Sequence, residues 1–117
     1  MSNVLTVIRG AATATMDKAE PVKNPVGETI ALNALGQFQT VDNINAQMGI
    51  WQCEPGKLRR QPQPHREFIH VLSGWCIFTP EGEEPVELHA GDCATFPANC
   101  QGVWEIKQTL RKVFCLF

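Results

Sequence analysis

From residue 46 to the C-terminus, short apolar runs alternate with Gly, Pro and acidic turns. Residues 47–53 read as a strand closed by Glu54-Pro55-Gly56. Residues 67–72 predict a second strand ended by Ser73-Gly74, and residues 75–79 a third. A Pro80 to Pro85 turn suits a hairpin leading to a strand at 86–89, with Ala90-Gly91-Asp92 as its corner. Strands at 93–96, 102–107 and 111–116 complete the set. Many short strands with a turn about every 8–12 residues indicate a β-sandwich or barrel, and helical periodicity is missing from this half. The first 45 residues are more loosely patterned: residues 11–20 predict a short helical turn, 20–25 a loop and 29–32 a short strand. The expectation is one domain, with residues 1–45 as a loosely structured segment packing on the barrel or on a partner subunit, and 46–117 as the barrel core.

Composition narrows the class without naming a function. The 117 residues suit one domain, and 44% hydrophobic content suits a buried core. A net charge of -2 gives no pull toward nucleic acid or acidic membranes. No apolar run approaches the roughly 20 residues of a spanning helix. The apolar stretch at 4–8 has no basic residue before it and Arg9 directly after it, so no signal peptide is expected. The five cysteines are odd in number and form no Cys-x-x-Cys pair, which suits reduced thiols in the cytoplasm. Tyr is absent, which excludes phenolic acid/base chemistry.

The stretch from Gln61 to Gly74 carries the most specific pattern: Glu67, six residues, then Gly74. Downstream, Gly91 is followed by five residues, then Pro97-Ala98-Asn99. This pair of motifs resembles the two motifs of the cupin superfamily. The segments Gly49 to Gly56 and Gly102 to Glu105 sharpen the likeness toward small single-domain cupins related to the ethanolamine-utilisation cupin and to ureidoglycine aminohydrolase-type cupins. The resemblance covers roughly residues 45–117 and implies an all-β jelly-roll barrel. Local chemistry agrees: Gly74 and Gly91 suit tight corners, Asn99 tolerates the left-handed region, and Pro97 suits a strand end.

In a metal-binding cupin the first motif reads His-x-His-x3-Glu, and the second supplies a further His. Here the two imidazole positions hold Gln61 and Gln63, the third falls at Gly102, and only Glu67 remains. An amide oxygen is a weak ligand for first-row metals, so no metal is expected. A divalent ion is the lesser alternative: if residues 61–67 are extended, Gln61, Gln63, His65 and Glu67 share one side of the strand. His70 and His89 fit packing or surface roles better than ligation.

Glu67 inside an apolar barrel needs a cation or donor, and Arg59, Arg111 and His65 are the candidates. Trp51 and Trp104, through the resemblance, line the lumen as flat ligand walls or serve as ordinary core. Cys53 shares a face with Trp51, and Cys100 lies in the second-motif loop. Lys57, Arg59, Arg60 and Arg66 either collect an anionic ligand or form a solvated strand edge.

Three functions compete. The first is a metal-independent cupin binding a small polar or anionic metabolite through Trp51, Gln61, Gln63, Trp104, Arg59 and Cys53. The second is an isomerase, lyase or hydrolase with Glu67 as acid/base and His65 as its partner. The third is an interaction protein, because residues 68–72 are apolar on both faces and a second subunit is one way to cover the outer face. A homodimer built partly from N-terminal strands is expected.

Overall fold

The computed structural model describes residues 4–41 and 45–117. Among them the chain is all-β: β1 (Glu20–Pro21), β2 (Pro25–Val26), β3 (Leu32–Thr40), β4 (Gln47–Cys53), β5 (Gly56–Arg60), β6 (Glu67–Pro80), β7 (Val86–His89), β8 (Cys93–Phe96) and β9 (Gly102–Leu116). The strands curl into the expected jelly-roll barrel. No helix among the described residues is long and apolar enough to cross a membrane.

Two long strands organise the barrel. The first half of β9 pairs with β5, from Gly56↔Ile106 to Arg60↔Gly102. Its second half pairs with β4, from Gln47↔Leu116 to Cys53↔Leu110. Along its other edge β9 runs antiparallel to β6, from Glu67↔Leu116 to Pro80↔Gly102. The free edge of β6 takes β8 near its start and β7 near its end. All these pairings are antiparallel and most connect residues far apart in sequence.

The strand expected to stop at Ser73-Gly74 does not stop. Gly74 (φ 74°) lies at a bulge inside β6. A Cβ on Gly74 would overlap the Thr109 carbonyl oxygen, so only glycine fits. Before the bulge the buried positions are Glu67, Ile69 and Val71; after it they are Cys76 and Phe78. The bulge switches the inward-facing parity by one residue, as an inserted residue must. The separate strands expected at 102–107 and 111–116 are likewise one strand, in which the even-numbered Trp104, Ile106, Leu110, Lys112 and Phe114 are buried.

Other corrections follow from local chemistry. Lys57 to Arg60, expected as an anion-collecting cluster or a solvated strand edge, fall in β5, where Leu58 and Arg60 alternate inward while Lys57 and Arg59 face out. The expected helical turn at 11–20 reduces to a single turn, closed by Thr13 N–H donating to the Gly10 carbonyl. The expected short strand at 29–32 lies later, as β3, and pairs along β4. The turn residues behave as expected: Asn99 has φ 62° and Gly91 φ 94°.

The N-terminal residues lie against the outside of this sheet. Arg9 and Gln37 exchange hydrogen bonds of 2.8 Å, backbone to side-chain amide. Arg111 Nη1 donates to the carbonyls of Ala11 and Ala14 at 2.9 and 3.0 Å. The interior is apolar around Ile69, Val71, Cys76 and Leu110, with an aromatic cluster of Phe78, Phe96 and Trp104 beside them.

Candidate functional site

Among the described residues three charged side chains are buried, and they meet at one point. Glu67 opens β6, Arg60 ends β5, and Lys112 lies on the inward face of β9 opposite Trp51. Arg60 Nη2 donates to Glu67 Oε1 at 3.0 Å, and Lys112 Nζ donates to Glu67 Oε2 at 2.7 Å. Arg60 also donates to the Cys100 carbonyl at 2.6 Å. The residues are 5%, 6% and 5% exposed for Arg60, Glu67 and Lys112, so water screens these contacts little.

Aromatic rings complete the shell. Lys112 Nζ lies 4.7 Å from the Trp104 ring centre and 4.9 Å from that of Trp51, while the Arg60 guanidinium sits 4.9 Å from Phe96. These ring faces attract the cations that burial would otherwise strip of solvent. Burial alone would push the Glu67 carboxyl up; the charge and hydrogen bond of Lys112, and then those of Arg60, outweigh it and hold the group below the usual carboxylate range. Burial pulls the Lys112 ammonium below the usual lysine range, Glu67 opposes this, and Arg60 adds repulsion. The trio carries two positive charges and one negative.

The trio faces an open cavity of about 810 Å³. Trp51, Trp104, Gln61, Gln63, Arg59 and Glu67 all line it, as does Lys112. The N-terminal third supplies another wall through Lys18, Asn33 and Phe38. Trp51 is fixed there by its indole N–H, which donates to Asn33 Oδ1 at 2.9 Å.

Several expected partners lie elsewhere. Arg59 is exposed at the cavity edge, and Arg111 turns outward to Gln52 Oε1 at 2.9 Å; their sequence neighbours Arg60 and Lys112 hold Glu67 instead. His65 is half-buried and outside the cavity lining, and among the described residues no hydrogen bond joins it to Glu67. Pro62 and Pro64 lie within this stretch, and β6 begins only at Glu67, so residues 61–67 do not form the extended strand that would align their side chains. Cys53 is fully buried in the core rather than in the cavity wall, and burial, with Glu54 nearby, pushes its thiol up to about 12. His70 is half-buried, and His89 is exposed and stacks on Trp75 at 4.9 Å.

The residues do not fit a divalent ion. An ammonium and a guanidinium already occupy both oxygens of Glu67. Gln61 and Gln63 are exposed, and a Cβ at Gly102 would overlap the Thr79 carbonyl oxygen, leaving no room for a ligating side chain there. Among the described residues no group of three or more His, Cys, Asp or Glu is placed to hold a metal.

Comparison with known proteins agrees with this fold. Residues 43–114 match the family model described as the EutQ-like cupin domain. A comparison with curated proteins finds no match. A protein of unknown function from Pseudomonas syringae pv. tomato superimposes with a TM-score of 0.78 at 13% identity, over 91% of this chain and 46% of its own. The present chain therefore spans less than half of that protein. The EutQ protein of Clostridium difficile gives a TM-score of 0.63 at 10% identity, over 74% of this chain and 68% of its own. A protein from Thermotoga maritima gives 0.55 at 26% identity, over 58% of this chain and 76% of its own.

Proposed function

The chain belongs to the family of EutQ-like cupin domains, and we propose that its barrel binds a small anionic metabolite without a metal. The observation that carries this reading is the Arg60–Glu67–Lys112 trio, which brings one surplus positive charge to the wall of an aromatic-sided cavity. Pockets of this kind combine apolar walls with a few fixed polar groups that set orientation. Trp51 and Trp104 supply the walls; Arg59, Gln61 and Gln63 supply polar groups at the edge.

In this reading Glu67 is a counter-ion. The competing view, with Glu67 as a general acid or base and His65 as its partner, asks for a titrating carboxyl near neutral pH. Glu67 is instead held ionised, with both oxygens engaged. Five unpaired cysteines, one of them exposed, support a reducing compartment such as the cytoplasm. The exposed Ile30 and Leu32, at and just before the start of β3, support a homodimer formed through N-terminal strands, for which light scattering should report twice the chain mass.

Intrinsic fluorescence tests the binding reading, because Trp51 and Trp104 both line the cavity. Titration with acetate, lactate and succinate should change the emission at millimolar or lower concentration, whereas glucose and propylamine should not. Lys112→Met should abolish the response. An emission unchanged by all three carboxylates, or changed equally by propylamine, would remove the reading.

A further inference from the structure

We propose that Lys112 condenses covalently with the carbonyl carbon of a 2-oxo carboxylate bound in this cavity. The proposal rests on the anion-binding reading and adds the ligand's second functional group. Lys112 Nζ is a primary amine on the wall of an open cavity, yet its side chain is only 6% exposed. Its position is fixed by Glu67 Oε2 at 2.7 Å and by the rings of Trp51 and Trp104. A purely structural cation has no need of the cavity, and a purely anion-binding one is better served by arginine, with its planar fork of donors. Lysine is the residue whose amine forms Schiff bases with carbonyl compounds.

The charge arrangement suits that step. Nζ sheds one proton into the cavity water, and the lone pair this frees attacks the carbonyl carbon; that proton returns to the departing oxygen, so that ammonium and carbonyl together give an iminium and water. The N–C bond forms and the carbonyl C–O bond breaks. The oxygen leaves as water, carrying two of the ammonium's protons, and the third stays on the iminium nitrogen. No oxidant, reductant or further reactant is needed. One positive charge stands at Nζ before and after, so Glu67 serves as counter-ion to both species and the buried trio keeps its balance. The aromatic faces attract the iminium as they attract the ammonium. The carboxylate beside the carbonyl meets the surplus positive charge, with Arg60 on the far side of Glu67. A 2-oxo acid places its carboxylate and its electrophilic carbon on adjacent atoms, which a cavity wall carrying both an amine and a guanidinium can address together.

Reductive trapping tests this. The protein is incubated with glyoxylate or pyruvate and sodium cyanoborohydride, then followed by intact mass and peptide mapping. A single reduced adduct should map to Lys112, ahead of the exposed Lys18, Lys23, Lys57 and Lys107. It should disappear in Lys112→Arg, which keeps the charge, and fall when lactate, which lacks the carbonyl, is added as competitor. No adduct, or adducts spread over the exposed lysines with Lys112 unmodified, overturns the proposal. The wild-type peptide map alone decides this, so the outcome does not depend on the variant folding. Lactate that alters the tryptophan emission without any Lys112 adduct removes only the covalent step. An emission left unchanged by acetate, lactate and succinate alike, again with no adduct, removes the anion-binding reading with it.

Discussion

Arg111 and Lys112 are neighbours on β9 with the same charge, and they face opposite worlds. Arg111 points outward, partly wet, and spends its donors on Gln52 and on the carbonyls of Ala11 and Ala14. Lys112 points inward, meets a carboxylate and lies among aromatic rings. The outer cation fastens a segment to a sheet with neutral acceptors, which solvent can replace. The inner one, only 6% exposed, has little solvent to fall back on, so its counter-charge carries far more weight. Equal formal charge on adjacent residues therefore says little about energetic weight; the face of the strand decides it.

The largest test of this contrast is Glu67→Gln. It leaves two buried cations without a counter-charge and should cost about 3–5 kcal/mol in urea unfolding. A loss no larger than that of Arg111→Ala would break the comparison.

Acid should act through the same carboxyl. The Glu67 value in the folded chain lies below its ordinary one, about 4.3 in an unfolded chain. The unfolded state then binds more protons as the pH drops through that region. The contribution is complete above about pH 5 and is lost as pH falls through the folded value. Denaturation series from pH 7 to pH 3 should show an acid slope that flattens in Glu67→Gln.

On the outer face, Arg111→Ala removes three partly exposed hydrogen bonds and should cost about 1 kcal/mol. Its signature should be local: faster amide exchange at residues 10–16 with β6 and β9 still protected. Smallest of all is Glu105→Gln, which breaks an exposed pair with Lys107 at 2.7 Å and should change stability by at most about 0.5 kcal/mol.

The barrel was legible in the sequence because glycine and proline mark its corners and because Glu67, Gly74 and Gly91 stand at recognisable intervals. The cations that hold Glu67 were not, and the reason is parity. With residues 102–107 and 111–116 read as separate strands, nothing tied the inward phase of Trp104 to that of Lys112. Read as one strand, the even-numbered apolar series of Trp104, Ile106, Leu110 and Phe114 has a single charged member, Lys112. Arg60 was hidden inside a basic run, although Leu58 two positions earlier marks its inward phase. The cavity wall built by Asn33 and Phe38 carries no motif; only the pairing of β3 with β4 brings it there.

The kink at Gly74 lets a single strand furnish a charged mouth and an apolar floor from opposite parities. Straighten β6 at that point with every residue kept and its second half would turn over, presenting Ile77 and Thr79 to the interior and Phe78 to water. In this barrel a single methyl group at position 74, for which the Thr109 carbonyl leaves no room, would be more damaging than the replacement of several outward-facing side chains.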